Sequence, residues 1–495
     1  MISAPESLEV WFVTGSQHLY GEATLRTVAE NARSMVHHLA EQPQLPVRLI
    51  DKSVVTSREQ IAELCDAANA SSQCVGVIFW MHTFSPAKMW IRGLQILKKP
   101  FLHLHTQFNQ DLPWQTIDMD FMNLNQAAHG DREFGHITAR LNLPRKVVAG
   151  YWRESKTVDQ IGVWVRAAMG LHAARTLKVA RLGDNMRDVA VTEGDKVDAE
   201  RVFGYSVSGY DIGDLTARMD ELTDAEVNTL VSEYRDAYSI LPNHDRSHSL
   251  MHAARIELGL RAFLEEGGFS AFTDTFENLH GLDQLPGIAI QRLMADGYGF
   301  AGEGDWKTAA LVRIMKVMAH GLKGGTSFME DYTYDLSTAE LVLGSHMLEI
   351  CPSIAAEQPS LEVHPLGIGG KADPVRLVFT APPGEAVVAS VIDLGNRFRL
   401  VVNDVVVVEP PQQLPKLPVA RAVWKPQPNL SVAAETWIYA GGAHHTGFSQ
   451  ALRTEHLEDL AEMVGVEFLH IGKETTVRRF RQELRWNQNS YSGTR

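Results

Sequence analysis

Residues 297–349 read GYGFAGEGDWKTAALVRIMKVMAHGLKGGTSFMEDYTYDLSTAELVLGSHMLE, and the character of the chain changes inside this stretch. Its centre is patterned as a helix: Asp305 can cap it, Leu311, Ile314, Met315 and Met318 recur at helical spacing, and Gly321 can end it. Glu303 then falls in a glycine-rich turn ahead of a helix N-terminus, where the partial positive charge favours an ionised carboxylate. Beyond the helix, residues 326–334 and 340–350 read as strands flanking a polar turn at 336–339. With the turn centred near Thr338, Glu330 and His346 are expected as cross-strand neighbours on one face, within reach of one ion. Glu330 alternates with Phe328 and Tyr332, so its face is otherwise apolar and the carboxylate needs a partner or a cation. A one-residue slip in register would undo the pairing.

Upstream, strand and helix alternate. Apolar runs at 8–13, 46–50, 75–79 and 101–104 are separated by helical stretches such as 23–39 and 58–70. That rhythm predicts a parallel sheet with helices on both faces, and such sheets bind ligands at the carboxyl ends of their strands. The residues just past these strands are polar and aromatic: Ser16 to Tyr20, Trp80 to Phe84, and His105 to Gln107. A second α/β unit starts near Thr176, with a strand at 177–182, the loop Gly183-Asp184-Asn185-Met186-Arg187, helices at 225–238 and 247–265, and a strand at 269–273. Phe276 and Asn278 lie just beyond the last of these.

Past about Gly325, β-branched runs at 375–380, 386–392, 398–408 and 436–439 are split by proline and glycine clusters, which predicts a mainly antiparallel, barrel-like domain. A last helical stretch is expected from Ser449, and the basic run at 478–485 reads as a solvated helical face. The expected architecture is therefore two doubly wound α/β domains, 1–175 and 176–325, followed by a C-terminal β-rich domain, 326–495.

Composition narrows the function. The chain has 495 residues, 45% hydrophobic and 21% charged, with a formal charge of −14. That balance suits a globular protein and disfavours nucleic acid or an anionic membrane as partner. No apolar run reaches the ~18–20 residues of a membrane span. No basic segment followed by an apolar core opens the chain, so no secretory signal is expected. Cys65, Cys74 and Cys351 are the three cysteines and lack CxxC spacing, which fits a reducing cytoplasm.

Four groups form a candidate metal site: Glu303, Glu330, His346, and one of His444 or His445. Two carboxylates with two imidazoles suit manganese, iron or cobalt, whereas an all-oxygen shell would suit magnesium or calcium. Competing motifs are weaker. Gly297 to Gly302 matches GxGxxG, but the preceding residues 288–295 read as helix where a dinucleotide site needs a strand. Gly369-Gly370-Lys371 lacks the spacing and the Ser/Thr of a P-loop, and no GxSxG elbow is present.

At these residues the sequence resembles the L-arabinose isomerase family. The blocks that carry the likeness are Gly15 to Gly21, Met81 to Lys88, Gly183 to Arg187, Gly299 to Thr308, Phe328 to Tyr332, Gly344 to Met347 and Gly442 to Thr446. The resemblance implies a cytoplasmic isomerase with one Mn2+ per subunit, Co2+ or Fe2+ serving as substitutes. It would interconvert L-arabinose and L-ribulose through a metal-stabilised cis-ene-diol. By the same likeness Glu303, Glu330, His346 and His445 hold the metal, and Glu303 and Glu330 are the acid/base pair. Gln17, Leu19, Phe84, Met186, Phe276, Phe328, Met347 and Ile368 line the sugar pocket with His444. His129 reaches the site of a neighbouring subunit in a homo-hexamer. Competing readings are the same chemistry on another sugar (D-galactose to D-tagatose, or an L-fucose-like substrate), a non-catalytic sugar-binding protein, and a nicotinamide oxidoreductase resting on the glycine pattern alone.

Overall fold

Strand and helix alternate through residues 9–149, and the strands pair in parallel as that rhythm requires. The computed structural model describes residues 7–367 and 370–491 and divides into two compact units, 2–172 and 173–495. In the first unit, β1 (Glu9–Gly15), β2 (Arg48–Val55), β3 (Cys74–Met81), β4 (Phe101–His105) and β5 (Lys146–Ala149) form a sheet ordered β2-β1-β3-β4-β5, parallel throughout. Every residue of β3 is buried, as expected of a strand covered on both faces. The order reverses between β1 and β3, so the loops leaving these strands diverge and open a crevice at their carboxyl ends. Ser16 and Thr83 stand there with their hydroxyls 2.7 Å apart.

The second unit opens with β6 (Lys178–Leu182), β7 (Ser206–Tyr210), β8 (Ser239–Ile240), β9 (Ala271–Asp274) and β10 (Gly299–Ala301). Four of these form a parallel sheet ordered β10-β9-β6-β7, with its own reversal between β6 and β9. The glycine pattern at 297–302 contains β10 and follows the helix Gly287–Ala295, so the strand–turn–helix order of a dinucleotide site is not met.

The remaining strands are β11 (Thr326–Asp335), β12 (Leu341–Ser345), β13 (Ser360–Val363), β14 (Val375–Val378), β15 (Gly384–Asp393), β16 (Phe398–Val408), β17 (Arg421–Pro426), β18 (His445–Ser449) and β19 (Glu467–Ile471). Six of them close an antiparallel barrel in the order β15-β18-β11-β12-β17-β16, sealed by the β15–β16 pairing; β19 adds in parallel to β16. Closure leaves those six strands without free edges. β8, β13 and β14 form a small separate sheet. Val342, Val388, Val405, Val407, Trp424 and Phe448 belong to one buried cluster that fills this part of the core.

The helix Trp306–Met318 joins the two halves of this unit. It contacts β9 and β10 as well as β11, β15 and β18, and all residues from Trp306 to Met315 are buried. Burial on every face of that stretch puts it in the interior, with its Lys307 and Arg313 donating to the backbone carbonyls of Glu193 and Gly297 at 2.7 Å each. Gly447 of β18 admits it: a Cβ there would stand 2.5 Å from Met315 Sδ. As expected, Asp305 caps the helix, accepting from the Thr308 N–H at 3.2 Å.

Three expectations are corrected. The hairpin is centred on Thr338, with Asp335 opposite Leu341, but a bulge between Asp331 and Thr333 shifts the register; Glu330 therefore pairs with Ser345 rather than His346. His346 lies just past β12. Residues 436–439 are helical, within Leu430–Ala440, because Asn429 caps Val432 N–H at 2.9 Å and left-handed Gly441 stops the helix. Ser449 ends a strand, and the next helix is Thr454–Val464, followed by β19 and the helix Val477–Tyr491. Among the described residues, no helix is long and apolar enough to cross a membrane.

Candidate metal centre

Glu303 follows β10 with φ +62°, a left-handed backbone that costs a non-glycine residue of order 1–3 kcal/mol and persists only where the surroundings enforce it. Here they do. Its carbonyl accepts the Met186 N–H at 3.0 Å, and the next N–H, of Gly304, donates to the Asp274 carbonyl at 2.9 Å. Gly304 is itself left-handed, and a Cβ on it would lie 2.6 Å from Asn185 Cα. The loops after β6, β9 and β10 thus lock together at the carboxyl end of the second sheet.

The barrel supplies the imidazoles. His445 opens β18 directly across from Glu330 on β11. Its Nδ1 faces Asp305 Oδ2 at 3.2 Å and its Nε2 lies 3.7 Å from Glu303 Oε2. His346 Nδ1 lies 2.5 Å from Glu349 Oε2, a carboxylate that also accepts the Leu348 N–H at 3.0 Å. Phe328 packs against both rings, its centroid 5.0 Å from His346 and 5.1 Å from His445, while the two imidazoles lie 6.0 Å apart. Glu303, His346 and His445 each present one ligand atom within 4.8 Å of the others. Glu330 stands beside this cluster, its Oε2 4.0 Å from His346 Nε2. Of the adjacent histidines, His445 is fully buried and joins the cluster, while His444 is 38% exposed with Nε2 3.8 Å from Glu303 Oε2.

Charge is distributed to match. Burial alone would raise the Asp305 carboxyl, but the Lys307 ammonium and the contact with His445 hold it well below the usual carboxylate range. His444, opposed by burial and helped by His445 and His346, holds Glu303 below its ordinary value. Burial would lower His346, yet the charge and hydrogen bond of Glu349 push it up to about 9. A cation entering the site would displace that proton, since ligating imidazoles are neutral.

The residues fit a divalent ion. His445 Nε2 is buried without a hydrogen-bond partner, a costly state for a polar atom unless something else occupies its lone pair. Two imidazoles with carboxylate suit first-row transition ions. Each imidazole is oriented through its other nitrogen by a carboxylate, the arrangement that fixes the tautomer of metal-binding histidines.

The other expected residues fall as follows. In the first unit, Gln17 follows β1, Leu19 is 83% exposed in the turn His18–Tyr20, and Phe84 follows β3 and stacks on His129 at 4.5 Å. In the second unit, Met186 and Phe276 follow β6 and β9, and Met347 follows His346. Ile368 lies outside the described residues. Sequence reasoning missed Glu349, Lys307 and Asp274, and read Asp305 only as a cap. Glu349 was recoverable as a carboxylate three residues past His346; the burial of the other two has no local signature.

Family models for L-arabinose isomerase match in three consecutive parts: the N-terminal domain over residues 4–176, the central domain over 178–321 and the C-terminal domain over 325–467. Proteins named L-arabinose isomerase from Koribacter versatilis (strain Ellin345) and Geobacillus stearothermophilus are 62% and 59% identical over 490 residues, 98% of this chain and of each relative. One from Herpetosiphon aurantiacus is 60% identical over 488 residues, covering 98% of this chain and 97% of its own. A periplasmic solute-binding protein from Actinobacillus succinogenes 130z with bound D-allose aligns with 63% of this chain and 91% of its own, at 11% identity and a TM-score of 0.16, too low to support any inference. Two parallel α/β sheets, a closed barrel and these relatives define an enzyme, an aldose–ketose isomerase by class. The chain belongs to the L-arabinose isomerase family.

Proposed function

We propose that the chain interconverts L-arabinose and L-ribulose as a Mn2+-dependent cytoplasmic enzyme, assembled as a homo-hexamer in which His129 serves a neighbouring subunit's site. The observation that carries the reading is the buried, unpartnered Nε2 of His445 beside Glu303 and His346.

Moving a carbonyl from C1 to C2 requires a proton to leave C2 and one to arrive at C1 while charge builds on oxygen. Glu303, Glu330, His346 and His445 would hold a divalent ion, which would supply Lewis-acid stabilisation of that charge. Glu303 and Glu330 exchange the protons with carbon and oxygen of the cis-ene-diol, a contribution of roughly 10²–10⁴-fold. A glutamate that offers one oxygen as a ligand keeps the other for proton transfer. Met186, Phe276, Phe328, Met347 and His444 line the sugar, and the apolar members exclude water from the reacting carbons.

The test is conversion of L-arabinose to ketose by the chelator-treated full-length protein, before and after adding Mn2+. Loss on chelation and recovery with Mn2+ are expected; full activity in demonstrably metal-free protein, or no ketose under any condition, overturns the reading. Relative kcat/KM for L-arabinose, D-galactose and L-fucose decides the sugar.

A further inference from the structure

Lys307 is 2% exposed and lies in the first turn of the helix Trp306–Met318. A buried ammonium there is doubly unfavourable, because the helix N-terminus carries partial positive charge and burial strips hydration. Its surroundings compensate. Nζ donates to the carbonyls of Val191 at 3.0 Å, Thr192 at 3.0 Å and Glu193 at 2.7 Å, which accounts for all three protons. It also lies 3.4 Å from Asp305 Oδ1. The other oxygen of Asp305 accepts the Thr308 hydroxyl at 2.7 Å and faces His445 Nδ1 at 3.2 Å.

The three carbonyls end the loop that begins at Gly183 and carries Met186. That loop meets the centre at two further points: Met186 N–H on the Glu303 carbonyl, and the Asn185 amide, which donates to Thr192 O at 2.6 Å and Gly304 O at 3.2 Å. One ammonium therefore ties the loop to the carboxylate that orients a candidate ligand.

We propose that Lys307 is a positioning residue: it clips the 183–193 loop to Asp305 and so holds His445 with Nδ1 engaged and Nε2 free for the metal. The inference rests on the metal reading under Proposed function. Without the ammonium, Asp305 loses its counter-charge and the loop its anchor, so both the imidazole and the Met186 wall loosen.

The test is calorimetric titration of Mn2+ into chelator-stripped full-length protein. Lys307→Met should weaken Mn2+ binding about 10–100-fold, the usual effect of removing support behind a ligand. Because Lys307 acts through Asp305, the same change made in an Asp305→Asn background should cost little more than Asp305→Asn alone. If Lys307→Met does not fold, Lys307→Gln, which keeps donors for the loop carbonyls, is titrated instead. A folded variant that binds Mn2+ as the parent does, or losses that add in full, overturns the inference while leaving the metal reading intact. A parent protein that takes up no Mn2+ overturns both.

Discussion

Nδ1 of His346 lies 2.5 Å from Oε2 of Glu349, and this contact decides which nitrogen of the ring faces the centre. Asp305 does the same for His445 at 3.2 Å. In each case the carboxylate takes the inner nitrogen and leaves Nε2 for the site, where it also raises the basicity of the ring.

Glu349→Gln should therefore weaken Mn2+ binding about 10–100-fold without altering secondary structure. Calorimetric titration, with circular dichroism as control, reads both. Unchanged affinity would mean that Glu349 only packs.

Glu303→Gln and Glu330→Gln should each lower kcat by at least about 100-fold with the fold intact. Steady-state kinetics at saturating Mn2+ measures this, and near-normal turnover in either variant removes that residue from the chemistry.

Metal binding to the native state should raise thermal stability. At a free Mn2+ concentration of 100 times Kd the gain is about 2.7 kcal/mol. Melting curves of stripped protein across a Mn2+ series should show a rising Tm, and His445→Ala should flatten the rise.

Asp274 ends β9, buried, and burial together with the Glu349 charge pushes its carboxyl up to about 8. A raised folded-state pKa means that the native protein holds a proton the unfolded chain has lost. The associated stability is full below about pH 4 and is lost as pH rises through about 8. His346, pushed up to about 9, acts with the same sign, so the difference between proteins isolates Asp274. In chelator, Asp274→Asn should lose less Tm between pH 5 and 9 than the parent; equal slopes would contradict the assignment.

Gly299→Ala should destabilise by about 1–3 kcal/mol, as overpacking does. A Cβ there would sit 2.2 Å from the Ala309 carbonyl and 2.8 Å from the Arg313 N, both backbone atoms that cannot swing away. Gly213, exposed on the helix Ile212–Asp220 with nothing within 4 Å of its added Cβ, is the control; alanine there should be neutral or stabilising by up to about 1 kcal/mol. Urea denaturation compares the two.

Much of the architecture was legible because its causes are local. The helix Arg58–Ala70 and the strand Phe398–Val408 have the bounds that their spacing predicts, and Asp305 caps the helix it precedes. Residues 436–439 misled because β-branched propensity competes with capping; Asn429 and Gly441, both visible in the sequence, were the stronger signals. The centre of the 326–345 hairpin was also readable, since a polar turn between two apolar runs specifies it.

The sequence by itself determined the succession of two α/β units and a β-rich one, and the residue types able to bind a cation. Only the tertiary structure decided that His445, not His444, joins Glu303 and His346. It also decided that Glu330 opposes Ser345 across a bulge, and that Glu349, Asp305 and Lys307 stand behind the site. Spacing along the chain reports which side of an element a residue occupies. Where separate elements converge depends on barrel closure and on helix Trp306–Met318 packing between sheet and barrel, and those contacts bring together residues as distant in sequence as Asp305 and His445.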